Sequence, residues 1–340
     1  MKILFHNYYN ALNINNLLFE CSNTGIGDDL LKPFNVLARI CESENIEIGT
    51  FSKIPKEEAD AFVFIDYPKA NDSIFKFALK KNSAKSYLII LESPIVNVNN
   101  FNLKLHEPFD KVFTWSDDLV QHNPAKYIKI QYSYEIPTQF SLLKREKLCT
   151  IISGNKLSKL PNELYTERLK CIKWYNQYAP ELFDLYGLGW DIIKFENESY
   201  IGKLLNRINK KHKVFKYNFK VYKGSIERKA EIMSQYKFSI CFENVANFNG
   251  YITEKIFDCL FAGTIPIYKG AGNVLNYIPQ SCFIDYNRFE NIGEMHNYVQ
   301  SMSETDIQEY QKNILAYLHS DDIQQFSINR FCDTLLKNIS

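Results

Sequence analysis

The sequence contains no apolar run close to the roughly 20 residues that a membrane-spanning helix needs. Its first five residues are mostly apolar, but His6 and Asn7 interrupt them and no signal-peptide core follows. The eight cysteines are scattered without a C-x-x-C pair, which is typical of reduced thiols. We therefore expect a cytoplasmic protein without a transmembrane segment, and we leave open peripheral association at the inner face of the membrane.

The chain also lacks an excess of charge of either sign. Lys and Arg number 40 and Asp and Glu number 39, so no global field attracts nucleic acid. No G-x-G-x-x-G follows the first apolar run, since Gly25 and Gly27 come about twenty residues too late, which disfavours a dinucleotide-dependent oxidoreductase. We find no cluster with metal-ligand spacing and predict no bound metal. Any bound anion must then be held by a local arrangement of charges.

Short apolar runs alternate with helical patterns in both halves of the chain. Residues 61–66 and 87–91 are apolar almost throughout, as expected of strands that are buried on both faces. The alternation starts again at 148–153 and includes a further apolar run at 238–242. This pattern predicts an α/β fold with two doubly wound, Rossmann-like domains that face a central cleft.

A linker is predicted between the two blocks. Residues 137–147 combine a proline with a Lys-Arg-Glu-Lys cluster and show no clear period. We therefore predict an N-terminal domain of residues 1–146 and a C-terminal domain of residues 147–340. We leave open that the last helix packs back on the N-terminal domain.

The most informative segment is 238–270. An apolar strand leads into an asparagine-rich loop, and a short amphipathic helix follows that Gly263 ends. Thr253 stands at the N-cap position, where its hydroxyl can accept a hydrogen bond from a first-turn amide. Lys255 opposes the dipole of that helix, so we interpret it as a ligand for a phosphate. Glu254 beside it can accept hydrogen bonds from neutral hydroxyls such as those of a ribose.

The segment has the sequence CFEN, then GYITEKIFDCLFAGTIPIYKGA, then NYIPQSCFIDYNRF. It resembles the α-1,3/α-1,4-fucosyltransferases of glycosyltransferase family 10, and the chain is similar to bacterial members. The resemblance implies the GT-B architecture, with an acceptor-binding N-terminal domain and a nucleotide-sugar-binding C-terminal domain. It implies an inverting glycosyltransferase that moves L-fucose from GDP-β-L-fucose to a hydroxyl of an oligosaccharide or glycolipid acceptor.

The resemblance also bears on linkage, acceptor and cofactor. It implies an α-1,3 or α-1,4 linkage, to N-acetylglucosamine of a bacterial surface polysaccharide or lipopolysaccharide. We expect that no cofactor is required, which leaves room for stimulation by Mn²⁺ or Mg²⁺.

Individual residues take roles from the resemblance. Glu92, within Leu91-Glu-Ser-Pro94, is the implied catalytic base, and its place just after a buried strand suits a general base. The implied donor-binding residues are Arg168, Asn244, Tyr251, Thr253, Glu254 and Lys255. Further candidates for donor binding are Asn155, Glu243, Lys223 and Trp115.

Two alternatives stay open. One keeps the fold and the chemistry but uses another nucleotide-sugar donor. The other is a catalytically inactive nucleotide-sugar-binding protein, against which the combination of Glu92, Arg168, Glu254 and Lys255 argues. The role of residues 203–223, which hold eight basic residues and no acidic one, is also open. They form either a solvated surface or a loop that meets a polyanionic ligand.

Overall fold

The computed structural model describes residues 1–21, 29–81, 83–140, 144–195 and 200–339, so Gly25 and Gly27 lie outside the described residues. The chain divides into two compact units. The first unit consists of Met1–Ile136, Asn249–Tyr251 and Asp321–Ser340. The second consists of Pro137–Phe248 and Ile252–Ser320.

Each unit contains one parallel β-sheet. The strands of the first unit are β1 (Lys2–Asn7), β2 (Glu47–Gly49), β3 (Ala61–Ile65), β4 (Lys85–Ile90), β5 (Lys111–Thr114) and β6 (Tyr127–Lys129). The strands of the second are β7 (Lys147–Ile152), β8 (Phe183–Tyr186), β9 (Tyr236–Phe242), β10 (Ile265–Lys269) and β11 (Ile284–Asp285). Their orders are β2-β1-β3-β4-β5-β6 and β11-β10-β9-β7-β8. The predicted α/β fold with parallel sheets is confirmed.

Helices connect most of these strands. They are α1 (Leu17–Glu20), α2 (Lys32–Ser43), α3 (Ser73–Ala78), α4 (Asp117–His122), α5 (Tyr165–Tyr178), α6 (Tyr200–His212), α7 (Lys229–Met233), α8 (Glu254–Ala262), α9 (Ile292–Ser301), α10 (Glu304–Leu318) and α11 (Ile328–Leu336). Helix α8 has the predicted bounds. It ends at Gly263, which adopts the left-handed conformation (φ +66°) that favours glycine after a helix.

Both faces of the first sheet are buried. Successive side chains of a strand point to opposite faces, so neighbouring residues of β3 enter different cores. Val63 packs in a core with α2 and α11, whereas Phe62 and Phe64 pack in a second core with α3. Phe331 of α11 contacts Phe34 of α2 with ring centroids 5.6 Å apart. These contacts place the C-terminal helix in the first unit.

The division of the chain differs from the predicted boundary at residue 146. The segment from Pro137 belongs to the second unit. There the buried guanidinium of Arg145 donates to the carbonyl oxygens of Ser234 and Ala262, each at 2.7 Å, and to the Thr264 hydroxyl at 3.1 Å. A charged cluster indicates a solvated linker, and the sequence gives no sign that one of its members is buried among main-chain acceptors.

Candidate active site

Glu92 follows β4 in the first unit, and a buried carboxyl group holds its main chain. Oδ1 of Asp66 accepts hydrogen bonds from the amides of Leu91 (2.9 Å) and Glu92 (2.8 Å). The side-chain amide of Asn100 donates to the same oxygen at 2.8 Å and to the Glu92 carbonyl at 3.0 Å. Asp66 itself has φ +61°, a conformation that Asp and Asn tolerate better than most residues. The predicted base therefore lies on a backbone that side-chain hydrogen bonds fix.

The carboxylate of Glu92 has a hydrogen-bond donor that the sequence did not suggest. The Tyr9 hydroxyl donates to Oε1 of Glu92 at 2.7 Å. Burial and the charge of Glu92 raise the pKa of Tyr9 well above its usual value, so the hydroxyl stays protonated and donating. Tyr9 follows β1, and β1 and β3 are parallel neighbours whose carboxyl ends share one sheet edge with that of β4. The order of the strands in the sheet brings Tyr9 close to Glu92, and only the tertiary structure shows that order.

Asp66 was also missed by sequence reasoning, although it directly follows an apolar run. Its carboxyl group is buried, and burial together with the charge of Glu92 raises its pKa to about 7. The three hydrogen bonds that Asp66 accepts act in the opposite direction, since they favour the ionised form. A carboxyl group that titrates near neutral pH therefore lies directly beside the candidate base.

Trp115 and Tyr251, two of the predicted donor-binding residues, pack together in the first unit. Their ring centroids are 4.7 Å apart, and both side chains are fully buried. The Trp115 indole N–H donates a hydrogen bond to the Leu91 carbonyl at 3.0 Å. Trp115 therefore contacts the main chain directly before Glu92. Gly250 adopts φ +83°, and a Cβ there would lie 2.2 Å from the Trp115 carbonyl oxygen.

In the second unit, Glu243 follows β9 and holds the start of α8. Its two oxygens accept from the Thr253 amide at 2.8 Å and from the Thr253 hydroxyl at 2.6 Å. The prediction that the Thr253 hydroxyl caps the first turn is wrong, although Thr253 does occupy the N-cap position. The hydroxyl instead donates to Glu243, because a fully buried carboxylate needs donors more than the helix end does.

Lys255 lies between two carboxylates at the start of α8. Its ammonium is 3.4 Å from Oε2 of Glu243 and 3.2 Å from Oε1 of Glu254, and it donates to the Thr253 hydroxyl at 2.9 Å. Burial alone would raise the pKa of Glu254, but the charges of Lys255 and Lys229 lower it to about 2. Three of the predicted residues (Thr253, Glu254 and Lys255) and the further candidate Glu243 therefore form one cluster, the Lys255 cluster. In it an ammonium lies between two carboxylates.

Arg168 of α5 lies at the carboxyl end of β9. Its guanidinium is buried and donates to the Phe242 carbonyl at 2.6 Å and to Oδ1 of Asn244 at 3.1 Å. The charge of Arg168 reaches Lys255, where it lowers the pKa that the two carboxylates raise. The fold thus concentrates two cations beside the start of α8 and brings together the predicted residues Arg168, Asn244 and Lys255.

Asn155 and Lys223, the remaining candidates, contact other groups of the second unit. The Asn155 amide donates to the carbonyls of Gly189 and Ile192, both at 2.9 Å. Lys223 forms an ion pair with Asp184 at 3.3 Å. Asn155 shapes the loop after β8, and neither residue contacts the Lys255 cluster through a hydrogen bond that the structure shows.

Two absences hold for the described ranges. No three His, Cys, Asp or Glu side chains there are grouped so that they could hold a metal ion. No helix in those ranges has the length and apolarity to cross a membrane.

Solved structures with the same fold are glycosyltransferases. A crystal structure of an α1,3-fucosyltransferase matches with a TM-score of 0.55 at 19% identity, covering 100% of this chain and 91% of that one. The DNA-modifying β-glucosyltransferase matches with a TM-score of 0.57 at 13% identity, covering 100% of this chain and 99% of that one. The fold is therefore that of the GT-B glycosyltransferases.

Sequence comparison matches part of the chain to a known family. Residues 188–334 match the model of "glycosyltransferase family 10 (fucosyltransferase) C-term". The α-(1,3)-fucosyltransferase FucT of Helicobacter pylori is 41% identical over 76 residues, which are 22% of this chain and 16% of that protein. An α-(1,4)-fucosyltransferase of Arabidopsis thaliana is 39% identical over 75 residues, 22% of this chain and 18% of that protein. The chain thus spans less than a fifth of the length of these two relatives. The predicted resemblance to glycosyltransferase family 10 is therefore confirmed for residues 188–334.

Proposed function

We propose that this protein is an inverting fucosyltransferase that transfers L-fucose from GDP-β-L-fucose to a hydroxyl of an acceptor glycan. The observation that supports this most strongly is the Lys255 cluster, which lies within the region that matches the family model. The start of α8, the Lys255 ammonium and the Arg168 guanidinium lie at the carboxyl end of β9, the edge where open parallel sheets bind ligands.

The cluster suits a diphosphate that gains charge as it leaves. The amides at the start of α8 and the ammonium of Lys255 stabilise negative charge without having to reorient. Glu254 is ionised at neutral pH because its pKa is about 2, so it acts only as a hydrogen-bond acceptor, and we assign it to the ribose hydroxyls. Asn244 is assigned to the nucleotide side of the same site.

Glu92 is assigned as the general base. Because Tyr9 donates to Oε1, we assign Oε2 as the atom that takes the proton from the acceptor hydroxyl. The acceptor oxygen then attacks the anomeric carbon, and the bond from that carbon to the diphosphate oxygen breaks. GDP departs with the bonding electrons, and the β-linked fucose becomes α-linked.

The acceptor and conditions follow from the family resemblance. We propose N-acetylglucosamine of a bacterial surface polysaccharide or lipopolysaccharide as the acceptor, joined in α-1,3 or α-1,4 linkage in the cytoplasm. Turnover is proposed to need no metal, because Lys255 and Arg168 supply the positive charge, with Mn²⁺ or Mg²⁺ as stimulants.

A panel of nucleotide sugars tests this proposal. The full chain is incubated with GDP-fucose, GDP-mannose and UDP-glucose, with and without N-acetyllactosamine-type acceptors, and nucleotide release is measured. We expect GDP release from GDP-fucose, faster with an acceptor, and an α-fucoside in the product. Nucleotide release only from another nucleotide sugar would show that the donor is that compound and not GDP-fucose. GDP binding without any nucleotide release would indicate an inactive binding protein.

A further inference from the structure

Helix α6 lies outside the candidate active site, and polar side chains hold it to the second unit. The Asn206 side chain exchanges hydrogen bonds with the main chain of Phe195 at 2.6 and 2.8 Å. The Asn209 side chain donates to the carbonyls of Ile193 (2.7 Å) and Phe215 (2.8 Å) and accepts from the Phe215 amide (2.7 Å). The inward face of this helix is thus anchored by amides.

The apolar side chains of α6 point into solvent instead. Tyr200, Ile201, Leu204 and Ile208 are 83%, 68%, 44% and 38% exposed. Spacings of three and four residues place them on one face of the helix. A surface helix ordinarily buries its apolar face and exposes its polar one, so this arrangement is reversed. The anchoring asparagines explain how the helix is held without burying that face.

Cations border this apolar face. The four on the helix that are exposed are Lys203, Arg207, Lys210 and Lys211. None of these four forms an ion pair with a carboxylate among the described residues, and residues 203–223 contain no acidic residue. Burial, and after it the charges of Lys156 and Lys210, lower the pKa of Lys194, so these cations also lie near this helix. The surface is therefore apolar at its centre and positive along one side.

We propose that the exposed face of α6 is a docking surface for an anionic lipid bilayer. An amphipathic helix with an apolar face and bordering Lys and Arg residues lies flat in the headgroup region, where its apolar side chains enter the acyl boundary. Each Lys or Arg adds attraction to a negatively charged leaflet. The chain as a whole has a net charge of +1, whereas α6 carries four exposed cations and no acidic residue.

The observations favour lipid over a protein partner. A protein partner would need acidic groups matched to four cations and a groove for the apolar face. A bilayer instead offers anionic headgroups and an apolar interior at any point of its surface. Val214 and Phe215, which follow the helix, are also 59% and 41% exposed. Binding to lipid does not require transfer activity, so the two proposals can fail separately.

Vesicle sedimentation of the full chain tests the proposal. The vesicles contain phosphatidylcholine alone or phosphatidylcholine with phosphatidylglycerol. We expect binding to the anionic vesicles only, and weaker binding as salt rises. Lys203→Gln combined with Arg207→Gln should weaken binding about thirtyfold, since each cation contributes roughly fivefold. Ile201→Ser combined with Leu204→Ser should weaken it by at least about tenfold.

Matched variants on other surfaces serve as controls. Lys312→Gln with Arg330→Gln removes two exposed cations elsewhere, and Leu79→Ser with Leu275→Ser removes two exposed leucines. Thermal melting checks that every variant folds. The proposal is overturned if the wild-type chain ignores anionic vesicles, if the control variants lose as much binding, or if the α6 variants change only self-association.

Discussion

In the first unit, the carboxyl groups of Asp66 and Glu92 accept hydrogen bonds from amides and from the Tyr9 hydroxyl, which are uncharged donors. In the second unit, Glu243 and Glu254 lie within 3.4 Å of the ammonium of Lys255. The pKa of Asp66 is accordingly raised to about 7 by burial and by Glu92, whereas that of Glu254 is lowered to about 2, chiefly by Lys255 against the effect of burial.

The difference fits the two tasks that we propose. A general base has to accept a proton, so an ammonium held beside it would favour its ionised form and weaken it as a base. An anion site needs fixed positive charge, and the carboxylates of Glu243 and Glu254 offset part of the cost of burying the Lys255 ammonium. Glu243 shows the limit of that compensation, because burial still raises its pKa despite the nearby Lys255.

Removal of the base should have the largest effect. Glu92→Gln keeps the shape and the Tyr9 contact but cannot accept the proton, so turnover should fall by about a thousandfold. Affinity for GDP, measured by calorimetry, should not change, because Glu92 is not assigned to the nucleotide. Glu107→Gln, at an exposed glutamate, is the control. Transfer at the wild-type rate would exclude Glu92 as the base.

The second largest effect should follow from the loss of the Lys255 ammonium. Lys255→Gln leaves Glu243 and Glu254 without their ammonium partner and removes a ligand of the diphosphate. We expect turnover to fall about a hundredfold, together with weaker GDP binding. Lys237→Gln removes a lysine that pairs with Glu304 at 3.3 Å and serves as the control. Unchanged GDP affinity in Lys255→Gln would show that the cluster is only structural.

The Tyr9 hydroxyl should matter less. Tyr9→Phe removes the donor to Glu92 Oε1, and we expect turnover to fall roughly tenfold, the size of one hydrogen bond to a charged group. Tyr8→Phe controls for ring packing, since the two rings are 5.3 Å apart. An equal loss in Tyr8→Phe would assign the effect to ring packing rather than to the Tyr9 hydroxyl.

The last prediction concerns stability and pH rather than turnover. Because the pKa of Asp66 is raised from 3.8 to about 7, the folded state binds its proton more tightly than the unfolded state. This contribution to stability therefore decreases as pH rises from 3.8 to about 7, by at most about 1.4 kcal/mol per unit.

Asp66→Asn keeps the acceptor oxygen and tolerates the same φ, so it should remove that dependence. Urea midpoints on both sides of the interval measure it, with the exposed Asp110→Asn as the control. An equally steep decline in Asp66→Asn would mean that another group titrates.

Much of the fold was predictable because fully buried strands leave continuous apolar runs. The runs at 61–66 and 238–242 correspond to β3 and β9, and the helix at 254–262 was predicted with its observed bounds. The three-residue strands β2 and β6 were missed because so short a segment has no period to detect. Tyr9 and Asp66 were missed because neither belongs to a motif, and strand pairing alone brings them to Glu92.

The sequence by itself determined which segments are strands and helices, because periodicity and apolar content are local properties. It also revealed a resemblance to glycosyltransferase family 10, through the ordered motifs of residues 238–289. Only the tertiary structure decided that Arg145 is buried, that the Thr253 hydroxyl serves Glu243 and that α6 exposes its apolar face. Each of these depends on which polar group lies nearby after folding, and contacts between distant residues leave no periodic pattern in the chain.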